Sequence, residues 1–428
     1  MNVRDILIGS FRAALTAADP LTIVPRHLPA PPVAGRTVVA GAGKASAAMA
    51  KAVDLAWPAG APLSGVVVTR YAHGYPAAES PRRIRVVEAA HPVPDEACET
   101  AAKEVFALAR SLSEDDLFLV LMSGGGSSLL NLPAEEVPAA DLRQVTRDLL
   151  SSGAPIQDMN VVRKHLSRIQ GGRLAALTRA RVVALMISDV PGDDPSSIAS
   201  GPTAPDPSTF QDALDVLHRY RLTPPLSIAR HLSNGARGSV AETPKPGDTL
   251  FSRVDNRVIG TAHASLSMAA AYFQQHGITP LIIGDTVTGE AREVAKVHAA
   301  LARQVKVHHH PFKPPVAIIS GGECTVTLAG ASGHGGRCTE FLLSLGLELD
   351  GTGISAIACD TDGIDGSESN AGAWLSADSV QRARQTGINP RKLLDRNDAY
   401  GFFAALGDLV VTGPTRTNVN DYRAILVV

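Results

Sequence analysis

Apolar positions along this chain fall into two alternating patterns. Short unbroken runs, among them TVVA (37–40), SGVVVTR (64–70), DLFLVLM (116–122) and RVVALMISDV (181–190), are separated by stretches with apolar residues three and four apart. An unbroken apolar run suits a strand buried on both faces, and the three-four spacing suits an amphipathic helix. Helices are predicted over DEACETAAKEVFALARSL (95–112), over 141–150 and over 161–177. A further helix is predicted over 2–18, where Ile6, Leu7, Phe11, Ala14 and Leu15 share one face. Such alternation predicts an α/β fold with a parallel sheet covered by helices. Residues 192–247 are rich in proline, serine and aspartate, interrupted by one amphipathic segment near 210–220, and they place a boundary near 244–247. The alternation then restarts with RVIGTA, ITPLIIG, PPVAIIS, ISAIAC, DLVVTG and AILVV. Two α/β domains follow, residues 1–245 and 246–428, with the first helix free to pack on either.

Composition narrows the class. Of 428 residues, 45% are hydrophobic and 19% charged, enough apolar content for sizeable cores. A net charge of −2 with scattered basic residues argues against a nucleic-acid partner. The four cysteines, Cys98, Cys324, Cys338 and Cys359, form no CxxC pair, so a reduced, cytoplasmic setting is expected. No apolar run approaches the roughly 20 residues of a membrane span, and no membrane partner is expected. The tract His308–His310 sits at a helix end, where histidines complement the dipole, and reads as a solvated terminus.

Candidate chemistry gathers in the turns after strands, where open α/β sheets bind ligands. The run DLFLVLM ends in Ser123, Gly124, Gly125, Gly126, Ser127 and Ser128. Glycines admit close approach by a ligand, and backbone amides with serine hydroxyls donate to an anion. This turn reads as a phosphate cradle. The turn Gly41–Ser46 fits neither the Walker pattern nor GxGxxG, because Ser46 stands at the third glycine. Its Gly43 and Lys44 instead place a cation at a helix start, a position that an anion would stabilise. Arg337, after GHGG, occupies the same kind of position, with Glu340 in reach as a salt-bridge partner. Carboxylates at strand ends, Asp189 and Asp193 in one turn and Asp362 and Asp365 in another, are the residue type that holds Mg²⁺ or accepts a proton. Asp-Gly pairs also make ordinary turns. Arg163 and Lys164, placed near a helix start, and the hydroxyl-rich stretch 413–420 are further polar groups able to meet an anion.

In this order, GAGKAS, SGGGSSLL, NVVRKHLSRIQGGRLA, SDVPGDDPSSIASGPT, SGGECTVT, HGGRCTE, DTDGIDG and VTGPTRTNVND resemble the glycerate 2-kinase family over residues 5–425. The resemblance implies an N-terminal Rossmann-like domain and a C-terminal MOFRL domain, the latter over about 312–425, with an active-site cleft between them. It implies transfer of the γ-phosphoryl group of ATP to the 2-hydroxyl of D-glycerate with a divalent cation such as Mg²⁺. By motif, Lys44 and Arg337 correspond to active-site residues of the family, and Ser123–Ser128 is expected to face phosphate or nucleotide. The chain departs from the family pattern at Cys338-Thr339, where Asn-Gln is usual. Some family members carry the name hydroxypyruvate reductase, and a nicotinamide-dependent reductase is one alternative. A non-catalytic sensor of sugar acids or nucleotides is another.

Overall fold

The computed structural model describes residues 2–328 and 333–428. Two compact units divide the chain, one formed by residues 20–259 and the other by 1–19 together with 260–428.

The unit of residues 20–259 is built on six strands: β1 Thr37–Ala42, β2 Leu63–Arg70, β3 Arg85–Ala89, β4 Leu117–Met122, β5 Arg181–Ile187 and β6 Val254–Gly260. They lie in the order β3-β2-β1-β4-β5-β6. The pairs β2–β3, β1–β2, β1–β4 and β4–β5 are parallel. The order reverses direction beside β1, which makes the junction of β1 and β4 the topological switch point of the sheet. Alternate residues explain the unbroken apolar runs. Val38, Ala40, Phe118, Val120, Val182 and Ala184 pack with Cys98, Ala102 and Val105 of the helix Glu96–Arg110. Their neighbours Val39, Leu119, Leu121 and Val183 are buried as well, so both faces of the sheet are covered. The side chain of Asp95 starts that helix by accepting from the Cys98 amide.

Residues 192–247 do not form the expected boundary. The helices Phe210–Arg219 and Leu226–Ala236 bury Phe210, Ala213, Val216, Ile228 and Leu232 against Leu142, Val145, Met159 and Val162. The second of these helices escaped the sequence reading, and β6 joins the first sheet rather than opening a second domain. The unit therefore ends at residue 259, not 245. The expected helix over 161–177 is also two pieces, Ile156–His165 and the single turn Arg173–Ala176, separated by Gly171 and Gly172 at positive φ.

The other unit carries β7 Thr279–Gly284, β8 Gly289–Glu290, β9 Val316–Gly322, β10 Cys324–Thr325, β11 Ser355–Asp360, β12 Gly372–Leu375, β13 Leu409–Val410 and β14 Asp421–Val427. Six of these form a sheet in the order β13-β12-β11-β14-β9-β7, while β8 and β10 pair separately. Only β7–β9 is parallel in the six-stranded sheet; the β12–β13, β11–β12, β11–β14 and β9–β14 pairs are antiparallel. The expected restart of strand and helix alternation is present, and the sheet it builds is mixed. The first helix, Val3–Ala17, packs here: Leu7, Phe11 and Ala14 meet Leu266 and Phe273 of the helix Ala262–Gln275, and Ile319, Ile357 and Tyr422 of the sheet. Phe341, Leu342 and Leu345 of the helix Arg337–Glu348 cover the opposite face.

Candidate active site

In the unit of residues 20–259, the ends of β1 and β4 bring the two glycine turns side by side, with Ala42 opposite Met122. The Lys44 amide donates to Gly124 O at 2.9 Å, and the Ala45 amide donates to Ser123 Oγ at 3.0 Å. Gly43 is at φ +135°, and a Cβ there would lie 2.2 Å from Ser123 Oγ. Close approach of the turns therefore requires glycine. Ser46 donates to Gly43 O and Val68 O at 2.8 and 2.6 Å, so the residue that breaks GxGxxG is an internal brace.

The turns differ in what they leave available. The amides of Gly43, Lys44 and Ala45 are all consumed internally. Those of Gly124 and Gly125 donate to no other described residue. Gly125 is at φ +82°, and its ideal Cβ position lies 2.9 Å from His91 Nε2 and 3.7 Å from Lys44 Cγ. The Lys44 stem and the His91 ring thus both lie close to Gly125. The expected following helix is only one turn, Gly126–Leu129, so the loop offers an anion its amides rather than a macrodipole. Ser128 Oγ donates to Gly125 O at 3.2 Å, Ser123 Oγ is occupied by the Ala45 amide, and Ser127 Oγ is 2.9 Å from Ser200 Oγ. Of the three serines proposed from the sequence, Ser123 is a brace.

His91, Gln170, Ala199 and Ser200 also meet this loop and were not singled out for it. His91 follows β3, and a histidine just past a strand end was the available signal. Ser200 Oγ is 2.9 Å from Asn160 Oδ1, and both Ala199 and Ser200 have positive φ, 51° and 60°. Left-handed backbone at two successive non-glycine residues is costly and is held by the contacts around it. Asp189 lies just past β5, half-buried; Asp193 is a half-buried turn residue at φ +54°. The carboxylate of Asp194 accepts from the Ser196 amide and from the Ser196 and Ser197 hydroxyls.

In the other unit, Arg337 opens the helix Arg337–Glu348 but is not bound to Glu340, whose partners are Arg292 and Asn397. Its Nε donates to Asp421 Oδ1 at 2.7 Å, its Nη2 to Asp360 Oδ2 at 2.6 Å, and its Nη1 lies 3.4 Å from Glu323. Burial works against the guanidinium charge, but these three carboxylates outweigh it and hold its pKa above the usual arginine range. Asp421 also binds the fully buried Arg423, Oδ2 to Nη2 at 2.5 Å. Arg337 and Arg423 thus share a cluster with Asp360, Asp421 and Glu323.

Asp365 is not placed to hold a metal. Its Oδ1 accepts from the Cys338 amide at 2.9 Å, and its Oδ2 from the Thr339 amide at 2.8 Å and hydroxyl at 2.7 Å. It is a buried cap for the helix that Arg337 begins. Asp362 is 1% exposed, and its Oδ1 accepts from the Ile364 amide. Hydroxyls of the stretch 413–420 are braces: Thr415 donates to Thr361 O and Thr417 to Ala18 O. Among the described residues no group of three or more His, Cys, Asp or Glu side chains is arranged to hold a metal ion, and no single helix is long and apolar enough to cross a membrane. An all-protein cage for Mg²⁺ does not fit these residues.

Residues 6–233 match a domain of unknown function, DUF4147, and residues 316–421 match the MOFRL family. A protein of Agrobacterium vitis named as a hydroxypyruvate reductase is 51% identical, covering 100% of this chain and 95% of that one. Glycerate 2-kinase of Pyrococcus horikoshii is 35% identical over 100% of this chain and 98% of its own length. The crystal structure of a glycerate kinase from Thermotoga maritima superposes with a TM-score of 0.87 at 36% identity, covering 100% of this chain and 99% of that one.

Proposed function

Because this chain belongs to the glycerate kinase family, we propose that it transfers the γ-phosphoryl group of ATP to the 2-hydroxyl of D-glycerate. The products are 2-phosphoglycerate and ADP. The observation that carries the reading is the switch-point loop, where the Gly124 and Gly125 amides donate to no described residue and the Lys44 stem lies alongside Gly125. Phosphoryl transfer needs alignment and charge neutralisation more than covalent participation by the protein. Open loop amides receive phosphoryl oxygens, and the Lys44 ammonium offsets their charge as a point cation.

Arg337 enters this reading as a catalytic residue with an oriented guanidinium. Guanidinium has five N–H donors, and its carboxylate partners leave donors on both Nη atoms. The carboxylates around it, Asp360, Asp421 and Glu323, suit a cation that arrives with the nucleotide. In kinases Mg²⁺ is held largely by substrate phosphates and water, with one or two carboxylates. Asp189 and Asp362 are the strand-end carboxylates that would fill that role or accept the hydroxyl proton. The cation would neutralise the phosphates.

The reductase name carried by the Agrobacterium relative has little support in the β1 turn. Dinucleotide binding there uses glycine at the third position to bring helix and strand together, where this chain has the hydrogen-bonded Ser46. One experiment separates the activities. The protein is incubated with D-glycerate, ATP and Mg²⁺, and separately with hydroxypyruvate and NADH or NADPH. ADP release that depends on glycerate is expected, with product consumed directly by enolase. Nicotinamide oxidation without ATP would overturn the kinase reading. Lys44→Ala and Arg337→Ala are each expected to lower turnover by orders of magnitude with the fold intact.

A further inference from the structure

The helix Ile156–His165 has two buried faces of different character. Met159 and Val162 enter the helical core, while Asn160 and Arg163, one turn apart, share another face. Asn160 reaches the glycine loop through Ser200: its Oδ1 is 2.9 Å from Ser200 Oγ, which is 2.9 Å from Ser127 Oγ. Arg163 is only 8% exposed and makes no hydrogen bond or ion pair with any described residue. The next residue shows the contrast, since Lys164 is buried against Asp206 at 3.3 Å. The other deeply buried arginine, Arg423, is held by Asp421 and Gly321 O.

A largely buried guanidinium without a protein acceptor is costly. It cannot escape by deprotonation: burial lowers the Arg163 pKa to about 10, which still leaves it charged near neutrality. The Asn160 Nδ2 amide, on the same face, likewise donates to no described residue. Two neighbouring donors therefore lack acceptors among the described residues, and Asn160 connects to the glycine loop through Ser200. A single guanidinium matches a planar, singly charged carboxylate through two parallel bonds. Asn160 and the Ser127–Ser200 hydroxyls offer partners for hydroxyl groups next to that carboxylate.

We propose that Arg163 holds the carboxylate of the hydroxy-acid substrate, with Asn160 beside it, and so selects an acid over a neutral polyol. The proposal rests on the kinase reading for its substrate, but binding of the acid can be measured without turnover.

The test uses full-length Arg163→Met and Arg163→Lys variants. Steady-state kinetics are expected to show KM for D-glycerate raised about 100-fold or more in Arg163→Met, with KM for ATP within about twofold of the parent. Lysine, which keeps charge without the planar fork, should recover part of that loss. The preference for D-glycerate over glycerol should shrink by a similar factor. In thermal melts without ATP, D-glycerate should raise the parent's Tm and leave Arg163→Met unmoved. The ligand-free Arg163→Met protein should melt no lower than the parent, because it has lost an unpaired buried charge. A raised KM for ATP with glycerate unaffected would assign Arg163 to phosphate and overturn the proposal. A lower ligand-free Tm with an unchanged KM for glycerate would also overturn it, by making the role structural. A parent that binds D-glycerate in the melt but transfers no phosphoryl group would refute the kinase reading alone. If Arg163→Met does not fold, the Arg163→Lys kinetics and melts decide the same question.

Discussion

Replacing Asp365 with alanine distinguishes a helix cap from a metal ligand. The carboxylate accepts the Cys338 amide at 2.9 Å and the Thr339 amide at 2.8 Å, both at buried residues. The Thr339 hydroxyl, its third donor, keeps Gly336 O as an alternative acceptor at 3.1 Å. Alanine therefore strands two buried amides. Each stranded amide costs about 1–3 kcal/mol, partly offset because no charge then needs to be desolvated. Burial does oppose that charge, raising the Asp365 pKa despite its hydrogen bonds. A net loss of about 3 kcal/mol corresponds to a fall of roughly 6–12 °C in Tm for a unit of this size. Asp365→Asn retains one acceptor and should fall between the two proteins. The assay is a thermal melt followed by circular dichroism, paired with initial rates against Mg²⁺ concentration. A Tm within about 1 °C of the parent, together with a large rise in the Mg²⁺ needed for half-maximal rate, would refute the cap and restore the metal-ligand reading.

Ser123→Ala leaves the buried Ala45 amide without its acceptor and should destabilise the chain by about 1–3 kcal/mol in urea titrations, with activity falling alongside. Gly126→Ala places a methyl group 2.6 Å from Ala199 Cβ and 3.0 Å from Ala42 O; overpacking of about 1–3 kcal/mol should appear as a lowered Tm. His298 is buried, with Nδ1 2.8 Å from Val294 O and Nε2 3.0 Å from Ser320 Oγ. Desolvation lowers its pKa from 6.5 to about 4. The unfolded chain then binds the extra proton first, so His298 leaves stability flat above about pH 6.5 and costs about 3 kcal/mol as pH falls to 4. His298→Gln should flatten that part of the pH–stability curve, and an unchanged slope would contradict the assignment.

Apolar runs made the central strands readable, because β1, β4 and β5 are buried on both faces and carry no alternation to misread. Strand direction was not readable. β11 and β14 are as continuously buried as β4, yet they pair antiparallel, and burial says nothing about orientation. β6 was assigned to the wrong unit because every position from Val254 to Ile259 is half-buried, with little to mark which sheet it joins. At the candidate site, glycines and strand ends pointed to the loop, and the fold sets that loop at the switch point of the sheet. Hydrogen-bond capacity is what the sequence concealed. Ser123 and Asp365 are spent on amides 78 and 27 residues away, and Arg337 on Asp421, 84 residues away. Arg163 could be read only as a helix cation able to meet an anion, because nothing local announces that a charged residue is buried with no partner among the described residues.

The first helix packs with residues that follow it by about 250 positions, while everything between folds as another unit. On the ribosome, residues 20–259 are complete before Leu266 and Phe273 exist. During that interval Leu7, Phe11 and Ala14 have no partner and present an apolar stripe to the cell. Chaperone demand should therefore concentrate on the segment Val3–Ala17 of the nascent chain, long before the segment that shelters it is translated. A ribosome-stalled chain ending at residue 259 should be cut by protease within Val3–Ala17, and protection of that helix would contradict this order of assembly.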